Sequence, residues 1–591
     1  MAKTLAQVVF TDKARCRDCY RCLRVCPVKA IELHAGQARV VPERCIACGT
    51  CIRECPQQAK SYRSDLERAM AVVRDGYVVA ASVAPSFAVV FDDWERRRLA
   101  SALRKLGFTY VAETAIGAHE VARATAEYAA EAPGRLHICT ACPAVVNYVE
   151  QYRPQRIDAL VPVVSPMLAH AQHIRRKLGA HVKTIFIGPC VAKKAEAERP
   201  EHTNLVYCVL TFSELLTWMR REKIDMARLE ESEFDEVPPP AARFFPVPGG
   251  LAGTAGLKTD VLDRTCQAID GFPALQALLD YVPKGESGAI FEPLFCREGC
   301  ICGPGMPDDN ANTFVSRAAL LKYADEHVDP PPAQAAEPTP ASLDDLATRF
   351  EPRPSDTGPM FTEGQIRVTL ERTGRASPAD QLNCGACGYA TCRENAIAVL
   401  RGLAEPDMCI PYIRLQAERR TDRIIETSPN GIVTLDHELR IISMNPSFRQ
   451  MFVCSRAVLG KPISCLMDPE PFERLASSGE TIDTVARHPN CSLVCHQMLY
   501  ALPEEQQYVG IFVDVTASTD NGLKLDELRA KTQAQAKELM EHQIDMSQQM
   551  ARLLGETTAR GEALVRTLLE LAGARRDEKG PDWAQDTYTS K

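Results

Sequence analysis

The sequence predicts a multidomain protein of mixed α/β class, and three observations carry that reading. At 591 residues the chain is too long for one hydrophobic core, which sets an expectation of three to five domains. Between residues 75 and 328, short β-branched runs ended by Gly or Pro alternate with amphipathic helical runs, the pattern of an α/β layer fold with functional loops at strand ends. The 24 cysteines include repeated CxxC spacings, which in a long chain point to metal binding rather than to disulfides.

Composition narrows the class. Apolar residues make up 45% of the chain, enough for real cores, and the net charge of -8 argues against nucleic acid or an anionic membrane surface as partner. The Met1 end has no apolar run suited to a secretory leader, and no later run approaches the roughly 18 apolar residues of a membrane span. The expectation is a cytoplasmic protein without a membrane span.

Residues 1–74 hold the densest signal. Cys16, Cys19, Cys22 and Cys26 read C-x2-C-x2-C-x3-C before Pro27, and Cys45, Cys48, Cys51 and Cys55 repeat the pattern before Pro56. A CxxCxxC loop lets three sulfurs reach three corners of one cubane, while the fourth cysteine is carried off to the other cubane. The expected ligand sets are therefore Cys16, Cys19, Cys22 and Cys55 for one [4Fe–4S] cluster, and Cys45, Cys48, Cys51 and Cys26 for the second. The segment resembles bacterial-type two-cluster ferredoxins; zinc is the alternative occupant.

Residues 75–328 form the central domain. YVVAASVAPSFAVVF, LVPVVSP and VKTIFIGPC read as buried strands, and WERRRLASALRKLG and MLAHAQHIRRKLG as amphipathic helices. Cysteines sit in three distant, tight settings: Cys142 in TACPAVV, Cys190 in GPCVAKKAE, and Cys296 with Cys300 in FEPLFCREGCIC. Four thiolates can hold one iron–sulfur cluster, so three far-apart segments would meet at one metal site. On these motifs the domain resembles the catalytic domain of iron-only ([FeFe]) hydrogenases, with loops matching in order at Cys139–Pro143, at Pro189, Cys190, Lys193 and Glu196, and at Glu292, Cys296, Gly299 and Cys300. The resemblance implies that Cys142, Cys190, Cys296 and Cys300 hold the [4Fe–4S] part of an H-cluster. It further implies that Cys300 bridges to a two-iron subcluster and that Lys193 faces that unit's cyanide ligands.

The sequence also departs from the family. The proton-delivering cysteine that precedes the first-loop ligand is Ala141 here, and a methyl carries no proton. Glu196 remains, without a thiol to connect to. Leu294 and Phe295 replace Met and Ala, which predicts a drier, tighter pocket. The expectation is hydrogen binding with slow turnover, the profile of a sensor. A structural [4Fe–4S] site lacking the two-iron unit is the other reading, since related proteins use the fold that way. Cys139, three residues from Cys142, is expected to pack rather than to replace the missing thiol, and Cys208, Cys266 and Cys302 are read as packing thiols too.

Downstream, residues 329–360 are rich in Pro and Ala and read as a linker, with LDDLATRF as a short docking helix. Residues 361–415 open with a helix ending near Gly374. Cys384, Cys387, Cys392 and Cys409 follow, spaced C-x2-C-x4-C-x16-C, with a helix from Arg393 to Gly402 between the last two. This resembles a small α-helical [4Fe–4S] domain and is read as the outlet from the central domain toward the C-terminus; zinc is again the alternative.

Residues 422–518, with paired strands and a helix opened by Asn445-Pro446, resemble α+β PAS domains. Cys454, Cys465, Cys491 and Cys495 lie inside this segment at no standard ligand spacing and are read as buried thiols. Residues 520–572 carry apolar residues near every third or fourth position, the pattern of a coiled coil or of a helix folded back on the PAS domain. Residues 573–591 read as a disordered tail.

In order, the modules suggest electron inlet, gas site, outlet cluster, PAS and coil. The expected cofactors are four [4Fe–4S] clusters and a two-iron subcluster. The leading function is a hydrogen or redox sensor of the [FeFe]-hydrogenase type; the alternatives are a ferredoxin-linked hydrogenase regulated by its PAS domain and an electron-transfer scaffold with cubane clusters only. The expected partners are a signalling phosphatase or kinase reached through the coil, ferredoxin-type electron carriers, and a second copy of the chain.

Overall fold

The computed structural model describes residues 7–34, 36–257, 266–281, 289–307, 312–326, 341–353 and 360–516, together with residue 534. Apart from residue 534, the expected coil lies outside these residues, as does the tail. The chain divides into two compact units, Met1–Arg414 and Leu415–Lys591, each described here by itself.

In the first unit the cysteine-rich segment builds two short antiparallel pairs, Val9–Thr11 with Lys60–Tyr62 and Ile31–His34 with Gln37–Val40. The internal duplication of the sequence reappears as two short helices, Arg21–Val25 and Thr50–Arg53, each entered through a left-handed residue at the end of its CxxC loop (Tyr20 and Gly49).

The central domain contains two parallel sheets. One runs in the order Tyr110–Glu113, Val79–Val83, Lys183–Gly188 and Cys208–Thr211. Three of these strands are buried at every position, as expected of a parallel sheet covered on both faces. The covering helices include Asp93–Lys105, Ala115–Glu131, Pro166–Leu178 and Phe212–Arg221. The last of these starts with a capping box: Thr211 Oγ1 accepts from Glu214 N at 3.1 Å and Glu214 Oε2 accepts from Thr211 N at 2.7 Å. The other sheet pairs Cys266–Asp270 with Ile290–Leu294, and the latter with His137–Ile138.

Several elements differ from the sequence reading. The run YVVAASVAPSFAVVF is a strand only over Val79–Val83; Pro85, which has no N–H to offer a ladder, opens a 3-10 turn over Pro85–Val89. LVPVVSP forms no strand among the described residues. Its backbone makes single bridges from Leu160 to Ile138 and from Val163 to Ala347, and Pro162 and Pro166 interrupt any longer pairing. The helix Leu66–Arg74, placed with the ferredoxin-like segment on sequence, buries Leu66, Ala69 and Val72 in the core of the central domain.

LDDLATRF contributes the short helix Leu343–Leu346, whose Leu346 carbonyl accepts from Val164 N at 2.9 Å. The following small module has helices Glu363–Arg372 and Cys392–Leu400 packed through Ile366, Leu370 and Ala396. A helix spans Ile410–Thr427.

The second unit is an antiparallel five-stranded sheet in the order Ile441–Met444, Gly431–Leu435, Gln507–Asp514, Leu493–Leu502 and Ile482–His488. Helices Pro446–Met451 and Glu470–Ser478 contribute Phe448, Phe472 and Leu475 to a core shared with Phe512 of the sheet. Asn445 does more than open a helix. Its Oδ1 accepts from Phe448 N at 2.9 Å and from Ile432 N at 2.8 Å, and its Nδ2 donates to the Asn430 carbonyl at 2.8 Å. One buried amide thereby ties the first strand to the first helix.

Candidate functional site

All three cysteine loops of the central domain leave the carboxyl ends of parallel strands, where α/β folds place their ligands. Cys142 follows His137–Ile138 and caps the helix Pro143–Tyr152. Cys190 follows Lys183–Gly188 and precedes the helix Ala192–Ala197. Cys296 and Cys300 follow Ile290–Leu294. The last loop is held against the Cys190 loop and against the segment around Pro246: Gly305 N donates to the Pro189 carbonyl at 2.8 Å, and Cys300 N to the Pro246 carbonyl at 2.7 Å. Gly299 has φ +84, and a Cβ there would lie 2.4 Å from the Pro246 carbonyl oxygen, so only glycine fits the turn between the two cysteines.

The four thiols share one buried field. Burial pushes the Cys190 thiol up to about 12, the charge of Cys142 adds to this, and Lys193 opposes it. Burial likewise raises Cys296 well above its usual value, with Cys190, Cys300 and Cys142 adding, and raises Cys300, with Cys190 and Cys142 adding. Mutually repelling thiols in a dry pocket are poorly placed as free groups and well placed as ligands to a cationic centre. Four soft donors on three loops within electrostatic reach of one another are of the chemical type that suits a [4Fe–4S] cluster.

Beside them, Lys193 Nζ donates to Glu196 Oε2 at 2.8 Å and to the carbonyl of Ala141 at 3.3 Å. Lys193 and Glu196 are each 7% exposed, so this is a buried ion pair, and it lies against the backbone of Ala141, the residue that stands in sequence where the family resemblance puts the relay thiol. Glu292 is buried and held near pH 7: burial raises its carboxyl to about 7 against hydrogen bonds from the N–H groups of Leu251 and Ala252. Leu294 and Phe295 are both 5% exposed. Cys139 is buried in the central core, with Glu292 and Cys266 in its surroundings.

Among the ferredoxin-like thiols burial dominates, and neighbouring thiols add to it. Cys22 is raised to about 11 by burial, and the thiols that reinforce this are Cys19, Cys16 and Cys55. Cys45 is raised to about 12 by burial, with Cys48 and Cys26 adding, and Cys51 is raised by burial with Cys48, Cys26 and Cys45 adding. This second set adjoins the central site. Cys48 senses Cys142, a Cβ on Gly49 would lie 2.5 Å from Pro304 Cγ, and Arg53 Nη1 donates to the Cys302 carbonyl at 2.8 Å. Cys384, Cys387, Cys392 and Cys409 line one cavity, and Arg375 Nη2 lies 3.6 Å from Cys409 Sγ.

The PAS thiols are arranged otherwise. Cys454 senses Cys465 and Cys491, while Cys495 is fully buried and senses Cys491. They form a string rather than a closed set. Against the expectation of four buried thiols, only Cys495 is buried: Cys454 and Cys491 are half-buried, and Cys465 is exposed because the turn Ile463–Cys465 buries Ile463 instead.

Sequence reasoning overlooked the polar groups behind Glu196. Arg199 is buried, donating from Nη2 to Glu150 Oε2 at 2.8 Å and to Asn147 Oδ1 at 2.6 Å. His202 and Arg199 line a small cavity together with Glu196, Thr140 and Ser165. The three-residue spacing of Glu196, Arg199 and His202 was the available signal. A second buried group, His173 between Glu120 and Glu236, joins elements too distant in sequence to have been paired.

Comparison with known proteins agrees with the module order. Residues 8–56 match the 4Fe-4S dicluster domain model, 77–304 the iron only hydrogenase large subunit, C-terminal domain, 380–411 a putative Fe-S cluster, and 419–486 a PAS domain. The periplasmic [Fe] hydrogenase large subunit of Nitratidesulfovibrio vulgaris is 27% identical over 369 residues, covering 51% of this chain and 86% of that protein. The cytosolic Fe-S cluster assembly factor NAR1 of Vanderwaltozyma polyspora is 28% identical over 159 residues, 26% of this chain and 30% of that one. A solved [FeFe]-hydrogenase variant from Chlamydomonas reinhardtii, 18% identical, covers 49% of this chain and 100% of that one with a TM-score of 0.38. No described helix is long and apolar enough to cross a membrane. The chain is an iron–sulfur protein whose central segment matches the iron-only hydrogenase large-subunit family, joined to a 4Fe-4S dicluster region, a further Fe-S region and a PAS domain.

Proposed function

We propose that the protein is a hydrogen or redox sensor of low turnover. At its central site Cys142, Cys190, Cys296 and Cys300 would hold a [4Fe–4S] cluster, Cys300 would also help hold a two-iron unit, and its PAS domain passes the redox state on to a signalling partner. The two-iron unit supplies the chemistry of hydrogen, H2 in exchange for two protons and two electrons. The chain supplies the surroundings. Lys193 places a buried cation beside the site, with Glu196 as its counter-ion, and Leu294 and Phe295 keep water out. Electrons leave or enter through the adjacent thiol set of Cys45, Cys48, Cys51 and Cys26. Three [4Fe–4S] clusters outside the central site are part of this reading.

The observation that supports it is Ala141. Its carbonyl is 3.3 Å from Lys193 Nζ, and its methyl stands where a relay needs a proton carrier. The test is hydrogen uptake and evolution by the matured full chain. The wild type turns over slowly, and Ala141→Cys raises the rate on the order of 10²-fold, the usual contribution of a positioned acid. A fast wild type that Ala141→Cys leaves unchanged is the behaviour of a working hydrogenase instead.

A second reading, an electron-transfer scaffold with cubane clusters only, is favoured by the partial similarity to an Fe-S cluster assembly factor.

A further inference from the structure

The Cys384–Cys409 module was read from sequence as an outlet from the central domain. Its packing gives it another neighbour. Its cysteine loop is seated on the ferredoxin-like module: Gly388 has φ +93, and a Cβ there would lie 3.1 Å from Leu23 Cδ2 and 3.3 Å from Arg24 Cγ. Arg24 clamps the seam, donating from Nη1 to the Ala386 carbonyl at 3.3 Å and from Nη2 to the Cys19 carbonyl at 2.8 Å. The backbone joins as well, since Leu33 N donates to the Leu403 carbonyl at 3.1 Å. Tyr389, Ala398, Ala404 and Met408 share one apolar core with Leu23, Ile31 and Ile46.

Besides Arg24, this seam holds the cation Lys29. Lys29 Nζ donates to the carbonyls of Leu23 and Arg24, each at 3.2 Å. These carbonyls belong to the short helix between Cys22 and Cys26, so the ammonium is anchored by the backbone and not by a carboxylate. Lys29 N also donates to the Cys26 carbonyl at 3.4 Å; burial lowers the pKa of the ammonium, and Cys26 on its own module and Glu394 and Cys387 across the seam oppose that. It thus sits between a ligand of the second ferredoxin-like set and a ligand of the third module. A fixed positive charge beside a cluster favours its reduced, more negative form, and more strongly where water is scarce.

We propose that the Cys384–Cys409 cluster exchanges electrons with the ferredoxin-like module across the Leu23–Lys29 and Ala386–Tyr389 seam, and that Lys29 is the positioning residue whose charge raises the potential of both flanking clusters. The set of Cys45, Cys48, Cys51 and Cys26 then becomes a hub, touching the central site through Cys48 and the third module through Cys26. The inference rests on the assignment of these thiols as [4Fe–4S] ligands, and is independent of whether a two-iron unit is present.

The experiment is a redox titration of the full chain followed by electron paramagnetic resonance, on wild type, Lys29→Met and Lys29→Arg. In Lys29→Met the reduced-to-oxidised ratio of two clusters at fixed potential falls about tenfold, equivalent to about 59 mV for one electron, while Lys29→Arg stays near wild type. Unchanged potentials in Lys29→Met with full iron content overturn the role of Lys29. Spin–spin interaction between the reduced third cluster and a ferredoxin-like cluster in wild type is expected, and its absence overturns the seam even if Lys29→Met fails to fold. A wild type lacking the iron and signals of these clusters refutes the cluster assignment itself, a different failure from either of these.

Discussion

The motif cysteines and the PAS cysteines contain the same chemical group in two different arrangements. In the ferredoxin-like and central regions burial raises Cys22, Cys51 and Cys296, and neighbouring motif thiols add to the rise. In the PAS domain the thiols run as a string, Cys465 to Cys454 to Cys491 to Cys495, ending on an exposed residue at one side and in the apolar core at the other. Cysteine density alone therefore does not mark a metal site. What distinguishes the motif cysteines is that they are grouped on short loops with left-handed turns, such as those at Gly49 and Gly299.

The largest effect that follows is on iron content. Cys300→Ala is expected to empty the central site of iron, whereas Cys454→Ala and Cys491→Ala leave the iron content of the full chain unchanged. Iron analysis of the three variants separates the two arrangements, and iron lost from a PAS variant breaks the comparison. Next comes the polar scaffold. Arg199→Met strands Glu150, which is fully buried, without its main partner; breaking such a pair costs about 3–5 kcal/mol. Thermal unfolding should show this loss in the first unit while the PAS transition keeps its midpoint.

The smallest effect is a pH dependence. Burial opposes a charged His173, but hydrogen bonds to Glu120 and Glu236 outweigh it and raise its pKa to about 9, while Glu236, resisted by burial, is drawn down to about 2. A histidine raised above its ordinary 6.5 stabilises the fold fully below about pH 6.5 and loses that contribution as pH rises through about 9. The first unit's melting temperature should fall across that window, and His173→Gln should flatten the dependence.

How much of this was legible in the sequence depended on range. Cysteine spacing located the thiol sets because a ligand loop is a local object, and Asn445-Pro446 announced a helix start for the same reason. Local reading failed where proline broke a β-like run, at Pro85 and Pro162, since the residues around them have strand propensity and only the missing N–H decides. It also missed the PAS hairpin of Ile482–His488 and Leu493–Leu502, whose first strand alternates buried and exposed residues too polar to stand out. The seat of the third module on Leu23, the bond from Arg24 to Ala386, and Arg199 with Glu150 are long-range pairings that no local pattern encodes. Ala141 was visible as an absence, but its contact with Lys193 needed the fold.

The central claim, a two-iron site whose neighbouring acid is a methyl, is tested most directly by the infrared spectrum of the matured full chain. The account predicts carbonyl and cyanide stretching bands that shift when hydrogen is admitted. A protein carrying its full complement of cubane iron and showing no such bands would contradict it.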